Sequence, residues 1–167
     1  DSSQGSSGAS AAVSPGFVPA NEVAPARPLT VAVTSGKGGV GKSQLVASLA
    51  VALQRTGRRV LLVDADVGCG NLDVLLGMTA HHDLRAVLSG ERAPEEVLVT
   101  AELEGLTMSL LPAPMATKSG SDLSPAEQLA MVDAVDQVGA GFDVVLIDTG
   151  AGVSRNPMLF AAAADRV

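Results

Sequence analysis

Eight consecutive residues hold the densest chemical information in the chain: Gly36-Lys37-Gly38-Gly39-Val40-Gly41-Lys42-Ser43. They fit the spacing G-x-x-x-x-G-K-[ST]. Glycines let backbone N–H groups turn toward one point and let a phosphate approach with no Cβ in the way. A helix starting near Lys42 would add its N-terminal amides and the positive end of its dipole. Lys42 would reach β and γ phosphates, and the Ser43 hydroxyl would sit on Mg²⁺. Val40 and Gln44 complete the run as neighbours of a bound nucleotide. Two acidic strand ends suit the same chemistry. Asp148 follows the apolar run Val144-Val145-Leu146-Ile147, where an open α/β sheet places its ligand crevice. It would hold Mg²⁺ through water. Asp64 and Asp66 end an earlier apolar run and are candidates for orienting an attacking water or supporting the metal. For Asp64, hydrogen bonding at the strand end competes closely with such a role.

The loop needs a strand before it and a helix after it. Leu29 to Ser35 (LTVAVTS) is a short β-branched apolar run, and Arg59–Asp66, Leu106–Ala113 and Phe142–Gly150 are similar. Near-continuous Val, Leu and Ile are expected of strands buried on both faces of a parallel sheet. Leu45, Leu49 and Leu53 recur every four residues, with Gly57 placed to end that helix. Ser124-Pro125-Ala126-Glu127 opens another: Ser at the N-cap, Pro next, Glu at the third helical position. Its inward residues are expected to be Leu129, Val132, Val135 and Val138. Asn156–Ala164 reads as helical, and short helices are expected over LDVLLG, DLRAVL and PEEVL between Asn71 and Val99. Strand and helix alternate, which implies an α/β, doubly wound, mostly parallel sheet.

Composition narrows the functions open to such a fold. Within 167 residues, 11 basic against 18 acidic side chains leave a net charge of −7. That field repels phosphate backbones, so direct nucleic-acid binding is not expected. Three Phe, no Trp and no Tyr provide no stacking platform for bases. A single cysteine, Cys69, excludes an internal disulfide framework and fits a reducing cytoplasm. His81-His82-Asp83 lacks further ligands at metal spacing and reads as a surface loop with Asp83 capping the next helix. Met108, Met115, Met131 and Met158 read as core or near-core fillers, and Glu91 to Glu104 as a solvated acidic face. Residues 1–28, rich in Ser, Gly, Ala and Pro, read as a flexible tail before an ordered domain over 29–167. The chain starts at Asp1 rather than Met and stops at Val167 in mid-pattern, so it reads as truncated at the C-terminus.

With these residues in hand, the chain resembles a known family. SGKGGVGKS, with its extra Lys37, resembles the deviant Walker A motif of MinD/ParA ATPases. VDADVGCGNLDVLLG (Val63–Gly77) is similar to that family's switch I region, and IDTGAGVS (Ile147–Ser154) to its Walker B and switch II segment. Departures are Gln44 after Ser43 and the pair Cys69-Gly70 inside switch I. The resemblance implies ATP and Mg²⁺ as ligands, contacted by Gly36 through Gln44. It makes Lys37, Lys42 and Asp66 catalytic, with Lys37 crossing an ATP-dependent homodimer to the partner's nucleotide. Asp66 would position the attacking water, and Ser43 and Asp148 would hold the metal.

The run DTGAGVS and the stretch Asp83–Val99 look most like the flagellar-number regulators of the family, FlhG (FleN or YlxH). That branch implies slow regulatory ATP hydrolysis and flagellar assembly or regulatory proteins as partners. It also implies a cytoplasmic protein held at the inner face of the plasma membrane by a C-terminal helix beyond Val167. Alternatives are a division-site or plasmid-partition ATPase, a nucleotide-dependent anti-activator with incidental hydrolysis, and a small-molecule kinase or ligase on the same loop. Because the base-recognising loops would also lie beyond Val167, this stretch alone is expected to hydrolyse ATP weakly.

Overall fold

Leu61, Leu62 and Val63 are all fully buried, yet they serve two different cores. A strand side chain alternates between faces, so Leu61 and Val63 point to one layer of helices and Leu62 to the other. This is why the apolar runs are continuous rather than alternating. The computed structural model describes residues 27–116, 123–151, 160, 162 and 164–167. The tail expected over 1–28 lies outside the described residues except for its last two positions.

Five strands form one sheet: β1 (Leu29–Ser35), β2 (Val60–Ala65), β3 (Val99–Leu103), β4 (Leu106–Leu111) and β5 (Val144–Ala151). Their order is β1-β5-β2-β4-β3, parallel throughout except for the β3–β4 pair. α1 (Lys42–Arg55) covers one face through Val46, Ala47 and Ala50. α2 (Leu72–Leu75) joins it there through Leu72. α3 (Leu84–Leu88) and α4 (Pro125–Gly139) lie on the other face, with Leu84, Met131, Ala134, Val135 and Val138 buried. The doubly wound α/β expectation holds.

Local chemistry places the helix ends. Gly57 takes a left-handed φ of 83° just past α1, and its N–H donates to the Gln54 carbonyl at 2.8 Å. At α4, Ser124 accepts from the Glu127 amide while Glu127 accepts from the Ser124 amide, a reciprocal cap. Asp83 accepts from the Arg85 amide at 2.7 Å and starts α3.

Two sequence expectations need correction. Leu129 is 63% exposed: the inward stripe of α4 runs through Met131, Ala134, Val135 and Val138, which leaves Leu129 on the opposite side. Met115 is 71% exposed and fills no gap, whereas Met108 and Met131 are buried; Met158 lies outside the described residues. In the acidic stretch Glu91–Glu104 every glutamate is exposed, as expected, and the backbone that carries them is structured. It contains a short 3₁₀ turn (Pro94–Val97) and the edge strand β3. Val99 and Ala101 of β3 pack on the core while Glu102 accepts from the Thr107 hydroxyl at 2.6 Å. Glu104 and Gly105 both take positive φ (51° and 79°), which makes the two-residue hairpin joining β3 to β4.

Of the helix expected over Asn156–Ala164, the described residues are Phe160 and Ala162, which are helical, and Ala164, which lies at a bend; Phe160 is fully buried. Beyond it, Asp165 and Arg166 return to the outer edge of β1. The Asp165 carboxylate accepts from the Thr30 amide at 2.9 Å, and the Ala32 amide donates to the Arg166 carbonyl at 2.9 Å.

Candidate phosphate-binding site

The strand order decides what can meet. β5 lies between β1 and β2, so the loop after β1, the end of β2 and the end of β5 converge at one edge. Asp148 pairs in register with Val33 of β1 and with Asp64 of β2. Ligands of open α/β sheets bind at that carboxyl edge.

Gly36 through Gly41 form an exposed loop between β1 and α1. Gly39 and Gly41 take φ of 72° and 92°, a backbone region that L side chains rarely adopt. Ser35 donates its hydroxyl to the Lys37 carbonyl at 2.6 Å and tightens the entry to the loop. Gly41 precedes α1 without any side-chain cap, and the first turn holds no acidic residue. The N-terminal amides and dipole of a 14-residue helix therefore face outward uncommitted, as an anion site requires. Lys42 and Ser43 sit half-buried in its first turn, and Gln44 beside them is exposed. Val40 and Lys37 are exposed, and among the described residues Lys37 makes no ion pair.

Asp148 is 2% exposed, and its Oδ1 has no hydrogen-bond partner. Burial pushes its carboxyl upward and Asp66 adds to this. The Ser43 hydroxyl and the Lys42 ammonium pull the other way. A buried carboxylate oxygen without a partner, next to a serine hydroxyl, fits a hydrated divalent cation. Among the described residues no group of three or more His, Cys, Asp or Glu could hold a metal by itself. The donors for such a cation are thus Ser43, water on Asp148 and the ligand's own phosphate oxygens.

Asp66 is half-buried. Burial raises its carboxyl and Lys42 lowers it. A Cβ placed on Gly150 would come within 2.8 Å of Asp66 Oδ1, so this carboxylate lies against the β5 backbone. Lys42, Ser43, Asp66 and Asp148 are therefore brought together, and Lys37 is exposed on the loop. Gly152, Val153 and Ser154 of the DTGAGVS run lie outside the described residues.

Asp64 resolves differently from its neighbours. Its carboxylate is buried and accepts three backbone N–H groups: Asp66 at 3.1 Å, Asn71 at 2.9 Å and Leu72 at 3.0 Å. Burial is the largest influence and pushes it up to about 6, with Asp148 adding; the amides of Leu72, Asp66 and Asn71 oppose. The sequence left this residue open between two roles, and Gly70 and Gly150 were not singled out as points of close approach. The D-x-D spacing followed by glycine was the available signal.

Residues 31–138 match the family model described as the CobQ/CobB/MinD/ParA nucleotide binding domain. The antiactivator FleN of Pseudomonas aeruginosa is 39% identical over 82% of this chain and 48% of its own length. The flagellum site-determining protein YlxH of Helicobacter pylori is 37% identical over 82% of this chain and 46% of its own. The septum site-determining protein MinD of Pyrococcus horikoshii, solved with Mg-ADP, superposes with a TM-score of 0.70 at 28% identity. That match covers 83% of this chain and 55% of MinD. The chain spans about half the length of the curated relatives it matches.

Proposed function

Because the chain belongs to the CobQ/CobB/MinD/ParA nucleotide-binding family, we propose that it is the catalytic half of a slow, Mg²⁺-dependent ATPase switch. The observation that carries this reading is the convergence of Lys42, Ser43, Asp66 and the unpartnered Asp148 oxygen beside an uncapped helix N-terminus. The loop amides and Lys42 hold the β and γ phosphates in place. Ser43 and, through water, Asp148 would hold Mg²⁺, which would neutralise charge building on the phosphates. Asp66, next to Lys42, is placed to orient a water for attack on the γ-phosphate, a positioning role rather than a covalent one.

Lys37 is exposed on the loop. In this reading it reaches the nucleotide of a second copy, so two ATP-bound protomers close face to face and separate after hydrolysis. Similarity to the antiactivator FleN and the flagellum site-determining YlxH supports flagella as the cargo, with control of their number or placement at the cytoplasmic membrane face. The name antiactivator, borne by the FleN relative, favours one second reading, a nucleotide-dependent inhibitor whose hydrolysis is incidental. The likeness to MinD keeps division-site selection as the rival cargo.

Two experiments test this. The intact protein is assayed for Mg-ATP turnover and for dimerisation with a non-hydrolysable ATP analogue by analytical ultracentrifugation. Its gene is then deleted, and flagella per cell and minicells are counted. Altered flagellation with normal septa supports the flagellar assignment; minicells with normal flagella move the protein to division-site selection. Failure to bind Mg-ATP refutes the switch itself.

A further inference from the structure

α2 begins at Asn71, but the Asn71 side chain does not cap it. The amides of Asn71 and Leu72 are instead taken by Asp64, seven and eight residues upstream. Both bonds go to Asp64 Oδ2, and Oδ1 accepts from the amide of Asp66. One buried carboxylate thus ties the start of the loop to its end. The fit is close: a Cβ at Gly70 would come within 2.7 Å of Asp64 Oδ2 and would collide with the Ala113 methyl. The loop is pinned a second time where the Gly68 amide donates to the Pro114 carbonyl at 3.0 Å. Asp64 is 2% exposed and both its oxygens are taken by loop amides, whereas the Asp66 carboxylate lies against Gly150 beside Lys42.

We propose that Asp64 is a positioning residue: it holds the loop over residues 66–72 so that the Asp66 carboxylate stays against Gly150 beside Lys42. The proposal rests on the ATPase reading above. Its physical basis is that a carboxylate can accept from all three amides at once. An asparagine at this position would present an NH₂ group to at least one of those donors. The Asp66 backbone would then be free to shift, and a displacement of about 1 Å in a reacting group costs about a hundredfold in rate.

The test uses the intact protein with Asp64→Asn, Asp66→Asn and the double variant. The expected result is a kcat for Asp64→Asn about a hundredfold below wild type with KM within about threefold, since the phosphate loop is untouched. The double variant should be no slower than Asp66→Asn alone, because Asp64 acts only through Asp66. Without nucleotide, amide exchange at residues 66, 71 and 72 should quicken while Val145–Ile147 in β5 stay protected. A kcat loss under tenfold, a further loss in the double variant, or exchange spreading into β5 each overturn the proposal. If Asp64→Asn does not fold, Gly70→Ala takes its place, because its methyl displaces the same carboxylate. A wild-type protein without turnover overturns the ATPase reading and the positioning role together. Turnover in wild type that Asp66→Asn abolishes and Asp64→Asn spares overturns the positioning role alone.

Discussion

Two forces act on Asp64, and they oppose each other. Burial favours its protonated form, whereas three amide donors favour the carboxylate. Burial prevails, with the group pushed from 3.8 up to about 6. Between those two values the folded protein binds a proton that the unfolded chain has released. Stability therefore falls as pH rises through this window, by about 1.36 kcal/mol for each unit, or about 3 kcal/mol in all. Asp143 runs the other way: Arg59 lowers it to about 2, so its contribution is lost as pH falls below 3.8. The comparison with Asp64→Asn removes such background. Urea unfolding of the intact, nucleotide-free wild type and variant at several values between pH 4 and pH 8 gives the difference in stability directly. Wild type should lose about 2.5 kcal/mol relative to the variant across that range, most of it below pH 7. A difference that is flat, or that grows with pH, would refute the reasoning. It would mean that the three N–H donors outweigh burial and keep the group charged.

Asp148→Asn should stabilise the nucleotide-free protein by about 1 kcal/mol, because it removes a buried charge with an unpartnered oxygen. The same change should weaken Mg-ATP binding at least about tenfold, which calorimetry with and without Mg²⁺ reads. Lys42→Ala should weaken ATP binding by about ten- to a hundredfold, the loss of one charge-assisted contact. Lys37→Ala should instead leave monomer affinity unchanged and abolish ATP-dependent dimerisation. Met131→Ala should cost about 2–5 kcal/mol in denaturant unfolding, and Leu129→Ala under about 0.5, reversing the ranking that sequence periodicity suggests.

Gly36–Ser43 was readable because its chemistry restricts residue type: only glycine suits the backbone at Gly39 and Gly41, and only a lysine and a hydroxyl suit the phosphate and metal positions. Ser124 and Glu127 announced their helix for the same reason, since the cap is a local bond between residues three apart. What escaped depends on tertiary contacts. Leu129 looks like a core residue by type, and only the orientation of α4 on the sheet shows that Met131 takes the inward place. β3 carries Glu102 and exposed positions, as an edge strand does, so its alternation is weak beside the fully buried runs. The three amides on Asp64 come from residues two, seven and eight positions along the chain, and no single spacing announces them.

The two borders of the sheet are treated differently from its interior. On one side the outermost strand is short, bears Glu102, and turns back at Glu104-Gly105. On the other, Thr30 and Ala32 already have their bonds taken by Asp165 and Arg166. Neither border offers a long row of vacant peptide groups for a neighbouring molecule to zip onto. Edge-to-edge pairing of copies into open-ended sheets is thus disfavoured at both borders of the described sheet.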